Sequence, residues 1–138
     1  MKDRGVWVYD IETIKSIFTY CAVNIDTEEI VQYVIHKDRD DRKQFLKHLN
    51  SCKGHITFNG NNFDYPILHL FMCLRDCNEL SIEQLIELLY NKAQWIIESQ
   101  KETTTKVYVS IPYKEILIPQ LDLFSVHHFD NKAKRTSL

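Results

Sequence analysis

The stretch Val6-Trp7-Val8-Tyr9-Asp10-Ile11-Glu12-Thr13 decides how this chain is read. Its first four residues form an apolar run typical of a buried strand, and the run ends on Asp10. Glu12 follows two residues later, so in extended backbone the two carboxylates point to the same side. Working outward, residues 17–25 are rich in β-branched and aromatic types and predict a second strand, residues 26–29 a turn and residues 30–35 a third strand. The short links between them predict an antiparallel meander.

Residues 36–42 are densely charged with mixed sign and lead into an amphipathic helix at about 40–50, with Phe45, Leu46 and Leu49 on one face. The cluster from Lys37 to Lys43 reads as a solvated helix entrance. Gly54 is a plausible helix stop, and residues 55–58 predict a fourth strand. Asn59-Gly60-Asn61-Asn62 is turn-prone. Phe63 or Asp64 opens a helix that tolerates Pro66 in its first turn. A further helix is predicted from about Ser81 to Trp95, with Ser81 and Gln84 in a capping-box pattern. Residues 99–106 read as a polar loop tip, 107–111 alternate like a strand, and 115–124 contain a last strand ending near Asp122. Residues 125–129 have helical character, and a basic tail follows. Three meander strands followed by α/β crossovers give an α/β fold: a mixed sheet with parallel strands after the meander, flanked by helices.

The chain has 138 residues, 44% hydrophobic and 26% charged, with three glycines and three prolines. These values exclude disorder and low-complexity classes and predict a single domain over residues 1–138. The net charge of −2 is not that of a module gripping nucleic acid by charge alone, so a bound cation would have to neutralise phosphate. No apolar run reaches the roughly 18–20 residues of a membrane span. Cys21, Cys52, Cys73 and Cys77 form no C-x-x-C pair, and a reducing, cytoplasmic setting is expected.

Three carboxylates stand at informative places: Asp10 and Glu12 on the first strand, and Asp64 at a helix start after the fourth. If these two strands are neighbours, the three converge at one edge of the sheet, where ligand sites of open α/β sheets lie. Hard divalent cations such as Mg²⁺ take carboxylate oxygens and retain waters, so a few carboxylates plus substrate phosphate suffice. Two such ions can activate water and stabilise a leaving oxygen.

Asp10-Ile11-Glu12-Thr13 resembles the D-x-E-T motif of the DEDD-type 3′–5′ exonucleases with an RNase H-like fold. Asn59-Gly60-Asn61-Asn62-Phe63-Asp64 resembles their N-x-x-x-F-D motif as it occurs in the proofreading domains of family B DNA polymerases, and Tyr65-Pro66-Ile67-Leu68 continues the likeness. Leu121-Asp122-Leu123-Phe124 and Thr136-Ser137-Leu138 resemble the segment leading to the last motif. The resemblance implies hydrolysis of terminal phosphodiesters with release of nucleoside monophosphates. It implies two Mg²⁺ or Mn²⁺ ions held by Asp10, Glu12 and Asp64, with Asp10 bridging them. Thr13, Asn59 and Phe63 would contact substrate, and Asp122 would be supporting. Phe63 is read equally as a core aromatic and as a base-stacking residue, and Asn59 equally as a turn former and as a substrate contact. The implied partner is a single-stranded or frayed 3′ end of DNA, with RNA as the alternative, alongside a polymerase domain or subunit.

The family's third motif, Y-x-x-x-D or H-x-x-x-x-D, has no counterpart after Asp64. His36 and Asp41 have the right spacing but precede the second motif. The domain is therefore expected to be incomplete at its C-terminus, with its sheet folded and its metal binding weak. Two other readings stand beside the exonuclease: a catalytically incomplete binding or structural remnant of the fold, and an RNase H-like endonuclease. His69, Cys73 and Cys77 read as a packed helix stripe rather than zinc ligands, His127 and His128 as surface or structural residues, and Lys132, Lys134 and Arg135 as a frayed basic tail.

Overall fold

Trp7, Tyr9 and Ile11 are buried while Val8, Asp10 and Glu12 between them are exposed, so the first strand has one covered and one open face. This strand, β1 (Val6–Ile14), turns through Lys15 and Ser16 directly into β2 (Ile17–Asn24). The antiparallel register runs from Ile14↔Ile17 to Trp7↔Asn24. Next come β3 (Ile30–His36) and the two-residue β4 (Arg39–Asp40), which complete an antiparallel meander. The computed structural model describes residues 5–101 and 109–128.

Helix α1 (Arg42–Ser51) returns the chain to β5 (Gly54–Thr57), which pairs parallel to β1. A single 3₁₀ turn (Gly60–Asn62) leads into α2 (Asp64–Cys73), and α3 (Ile82–Lys101) follows. Another 3₁₀ turn (Tyr113–Glu115) precedes β6 (Gln120–Asp122), parallel to β5, and α4 (Leu123–His128). The sheet order is β4-β3-β2-β1-β5-β6. The fold is thus mixed α/β, with the antiparallel meander followed by parallel strands that the sequence predicts, consistent with an RNase H-like fold.

Helices α1 and α3 cover one sheet face. The core between them holds Trp7, Phe18, Tyr20, Phe45, Leu49, Leu85 and Leu89, all fully buried. Each such side chain contributes about 1.5–3 kcal/mol on burial. On the open face, Ile30, Val23, Val8, Ile56 and Leu121 line up in register across five strands. Ser81 and Gln84 close the predicted capping box: Ser81 N–H donates to Gln84 Oε1 (2.9 Å) and Gln84 N–H to Ser81 Oγ (3.1 Å).

Several boundaries differ from expectation. The first strand continues past Asp10 to Ile14, and the last long helix to Lys101. Cys77 lies beyond α2, so His69, Cys73 and Cys77 do not share one helix. The charged stretch is not wholly solvated: Arg42 is buried, ion-paired with Asp40, and donates through one guanidinium nitrogen to the carbonyls of Cys77 (2.7 Å) and Leu80 (2.5 Å). It thereby ties the start of α1 to the turn before α3. Residues 109–111 are not a strand, and 102–108 lie outside the described residues, as do the basic tail, Thr136-Ser137-Leu138 and the side chains of His127 and His128.

Candidate functional site

Strand β5 pairs with β1 only as far as Val8↔Ile56. Past that point the β5-facing edge of β1 needs another partner, because a buried backbone N–H must be satisfied. The chain supplies one by turning sharply. Asn59 adopts a left-handed conformation (φ 60°), a geometry asparagine tolerates better than most residues, and the 3₁₀ turn then hands over to α2. Asp64, the first residue of α2, points back at the edge. Its carboxyl approaches the backbone N–H of Ile11 and the carboxyl of Asp10.

Asp64 is buried whereas Asp10 is exposed, so the pair sits at the boundary between core and solvent. Burial first, and then the charge of Asp10, push the Asp64 pKa up to about 7 from the ordinary 3.8; the Ile11 N–H opposes the rise. Without a cation, Asp64 retains its proton up to about pH 7. A hard divalent ion can take that proton's place, and oxygen donors from two elements suit it.

The turn that aims Asp64 is anchored from β6. Asp122 Oδ1 accepts the backbone N–H groups of Asn59 (2.7 Å) and Phe124 (2.9 Å), and Oδ2 that of Asn61 (3.1 Å). Gly60 is required by space: a Cβ there would run into the Thr57 side chain. The Tyr9 hydroxyl, held protonated by burial and by Asp64, donates to Gln120 Oε1 (3.1 Å) and links β1 to β6 beneath the site.

Among the other sequence-derived residues, Glu12 shares the open face of β1 with Asp10, one pleat further along, about 7 Å by strand geometry. Thr13 falls on the opposite face, its Oγ1 buried and without a hydrogen-bond partner. Asn59 serves the turn, and its Oδ1 accepts from Asn62 Nδ2 (3.3 Å). Phe63 is half-buried and packs against the core. Asp41 accepts from Val34 N–H (2.9 Å) and from Arg39 (2.7 Å), fixing the start of α1, while His36 faces Asp38 instead. His69 Nδ1 lies 3.1 Å from the Tyr65 hydroxyl. Sequence reasoning missed a second cluster, His48, Cys52 and His55, which is buried and contains no carboxylate. The spacing His-x3-Cys-x2-His was its only signal.

Curated proteins give no match to this chain. A family model does match, and its span begins at the strand that carries Asp10 and takes in the turn and helix that carry Asn59, Phe63 and Asp64. Divalent metals serve nucleases of this fold, in keeping with the acidic pair. Because the match covers residues 8–115, most of the chain, the protein belongs to the RNase H superfamily and has its nuclease-like fold.

Proposed function

We propose that the chain is a metal-dependent 3′–5′ exonuclease domain acting on the terminal phosphodiester of a single-stranded or frayed 3′ end, with DNA as substrate and a polymerase domain or subunit as its partner. The observation that carries this reading is the meeting of Asp10 and Asp64 from β1 and α2, with Asp64 retaining its proton to about pH 7. Asp10 and Asp64 would hold Mg²⁺ or Mn²⁺, and Glu12 would add a ligand from the next position of the same face. Two such ions supply Lewis-acid stabilisation of the phosphate and a nucleophilic water. Phe63 and Asn59, at the turn beside Asp64, would meet the substrate end. The cation would also supply the positive charge that a chain of net charge −2 lacks.

The test is a 5′-labelled single-stranded oligonucleotide with Mn²⁺. Stepwise shortening from the 3′ end is expected, and Asp10→Ala should reduce it to background. Unchanged shortening in Asp10→Ala would sink the assignment. Cleavage of a circular single strand would move it to an endonuclease.

A non-catalytic binding module is the second reading. It is favoured by one observation: among the described residues, no three carboxylates offer oxygens within 4.8 Å of one another. Single-turnover assays separate the two readings, since binding with no shortening belongs to the module.

A further inference from the structure

His48 and Cys52 lie at the end of α1 and His55 in β5, and all three are buried. Their gaps of three and two residues fall within the range of about two to five at which zinc ligands cluster. One donor atom from each lies within 4.8 Å of the others. Cys52 Sγ is 3.4 Å from His48 Nε2. The Tyr20 hydroxyl oxygen is 3.0 Å from that same nitrogen and 2.9 Å from His55 Nε2.

A tetrahedral ion at about 2.0–2.3 Å from its ligands sets ligand–ligand edges of about 3.3–3.8 Å. The three separations of 2.9, 3.0 and 3.4 Å need to open by only a few tenths of an ångström, and the donors of His48, Cys52 and His55 all lie within 4.8 Å of one another. The Cys52 thiol also donates to the His48 carbonyl (3.3 Å), a bond that coordination would give up. A neutral imidazole nitrogen has one lone pair, yet His48 Nε2 is faced by both the Tyr20 hydroxyl and the Cys52 thiol. A single cation would satisfy all four donors at once.

We propose that His48, Cys52 and His55, with the Tyr20 phenol oxygen as fourth donor, form a structural site for Zn²⁺ or a similar borderline transition ion. Binding releases the thiol proton of Cys52 and the phenol proton of Tyr20 to solvent. Two negative donors then face a dication, and the buried site is neutral. Sulfur and imidazole donors select against the hard ions that suit Asp10 and Asp64. Both imidazoles sit in an aromatic wall: Trp7 meets His48 edge-on at 4.8 Å between ring centres, and Tyr9 lies 4.2 Å from His55. All four protein donors come from inside this wall, the closed arrangement of a structural ion.

Gln120 supplies a readout. Its Nε2 lies 3.2 Å from His55 Nδ1, which makes Nδ1 an acceptor and puts the His55 proton on Nε2, facing Tyr20. Coordination through Nε2 moves that proton to Nδ1, and the Gln120 carboxamide, which also donates to the Ile118 carbonyl (2.9 Å) and accepts from Tyr9 (3.1 Å), must then turn or withdraw.

The experiment strips the purified chain of metal under reducing conditions and titrates it with Zn²⁺ and, in parallel, Co²⁺. Expected are a Zn²⁺ bound with release of two protons, a thiolate-to-cobalt charge-transfer band, and a switch of the His55 ¹⁵N signals from the Nε2–H to the Nδ1–H tautomer. Cys52→Ser and His55→Gln should weaken uptake by at least about a hundredfold. Cys21→Ser, which alters an exposed thiol, should leave it unchanged. Circular dichroism checks that each variant folds, and the tautomer reading on the unmodified chain needs no variant. No uptake by the unmodified chain, uptake that survives Cys52→Ser, uptake lost only in Asp64→Asn, or a His55 that stays Nε2–H would each overturn the proposal.

Discussion

The chain builds two clusters of titratable side chains, and they are opposites in chemistry and in setting. Asp10 and Asp64 meet at the sheet edge, one exposed and one buried, where β5 stops and a turn replaces it. His48 and His55 meet inside the aromatic core, bridged by the Tyr20 hydroxyl. Burial acts on both and moves them in opposite directions. It pushes Asp64 up to about 7, helped by Asp10, and pushes His55 down to about 3, helped by His48. In each case the neutral form is favoured, because a charge loses its hydration and meets a like charge. The edge cluster therefore holds a proton that a hard cation can displace, whereas His55 in the core cluster stays neutral, with both imidazoles held by the Tyr20 hydroxyl.

The largest effect that can break this contrast is the dependence of metal-free stability on pH. Asp64 has a folded pKa raised above its ordinary 3.8, so its contribution is complete below about pH 4 and is lost as pH rises through 7. His55 has a folded pKa depressed below its ordinary 6.5, so its contribution is complete above 6.5 and is lost as pH falls through 3. Between about 4 and 6.5 the two oppose each other, and the unmodified chain should show a nearly flat profile. Asp64→Asn should remove the falling component, leaving stability that climbs from pH 3 to 6.5 and then levels. Urea denaturation across this range measures it. Identical profiles for the two chains would mean that Asp64 titrates normally. Mg²⁺ should raise the melting temperature above pH 7 far more than at pH 5, because at pH 5 it competes with a bound proton.

Next in size is Tyr20→Phe in metal-free buffer. Its hydroxyl is the shared partner of both buried imidazoles. Removing it deprives both imidazoles of that shared hydrogen bond, and a loss of about 1–3 kcal/mol is expected. Because Tyr20 lies in the core and its hydroxyl contacts only the imidazole cluster, the response to Mg²⁺ above pH 7 should persist. A loss of that response in the folded variant would mean that the two clusters act as one.

The edge cluster was legible in the sequence and the core cluster was not, for physical reasons. Asp10 and Asp64 lie in short motifs whose partners are near in sequence, and one topological assumption, that their strands are neighbours, brings them together. β1 and β5 are neighbours. His48, Cys52 and His55 carry only the spacing His-x3-Cys-x2-His, and the packing of α1 that brings them to Tyr20 from a different strand is reported by no periodicity. The meander was legible from β-branched runs, but the end of β1 was not. Ile14-Lys15-Ser16-Ile17 carries no Gly, Asn or Pro to mark its two-residue turn. The short β4 was missed because ion pairs hold it rather than apolar alternation, with Arg39 on Asp41 and Arg42 on Asp40. Thr13 shows the limit of reading a motif as a string. Its neighbours Asp10 and Glu12 share a face by period two, and the same period turns Thr13 away from them.

The smallest effect sharpens the contrast from the edge side. Asp122 raises the pKa of Asp64 only as the last of several causes, yet three backbone N–H groups hold it in place. It supports the turn, and its oxygens are already committed to it. Asp122→Asn keeps one accepting oxygen for Asn59 and Phe124 but turns the other into a donor that cannot serve Asn61. The variant should lose about 1 kcal/mol of stability. Its Asp64 should titrate slightly lower, since one negative neighbour has gone, and its response to Mg²⁺ should be retained. If the folded variant instead lost that response as fully as Asp10→Ala, Asp122 would be a ligand, and the edge cluster would extend onto β6.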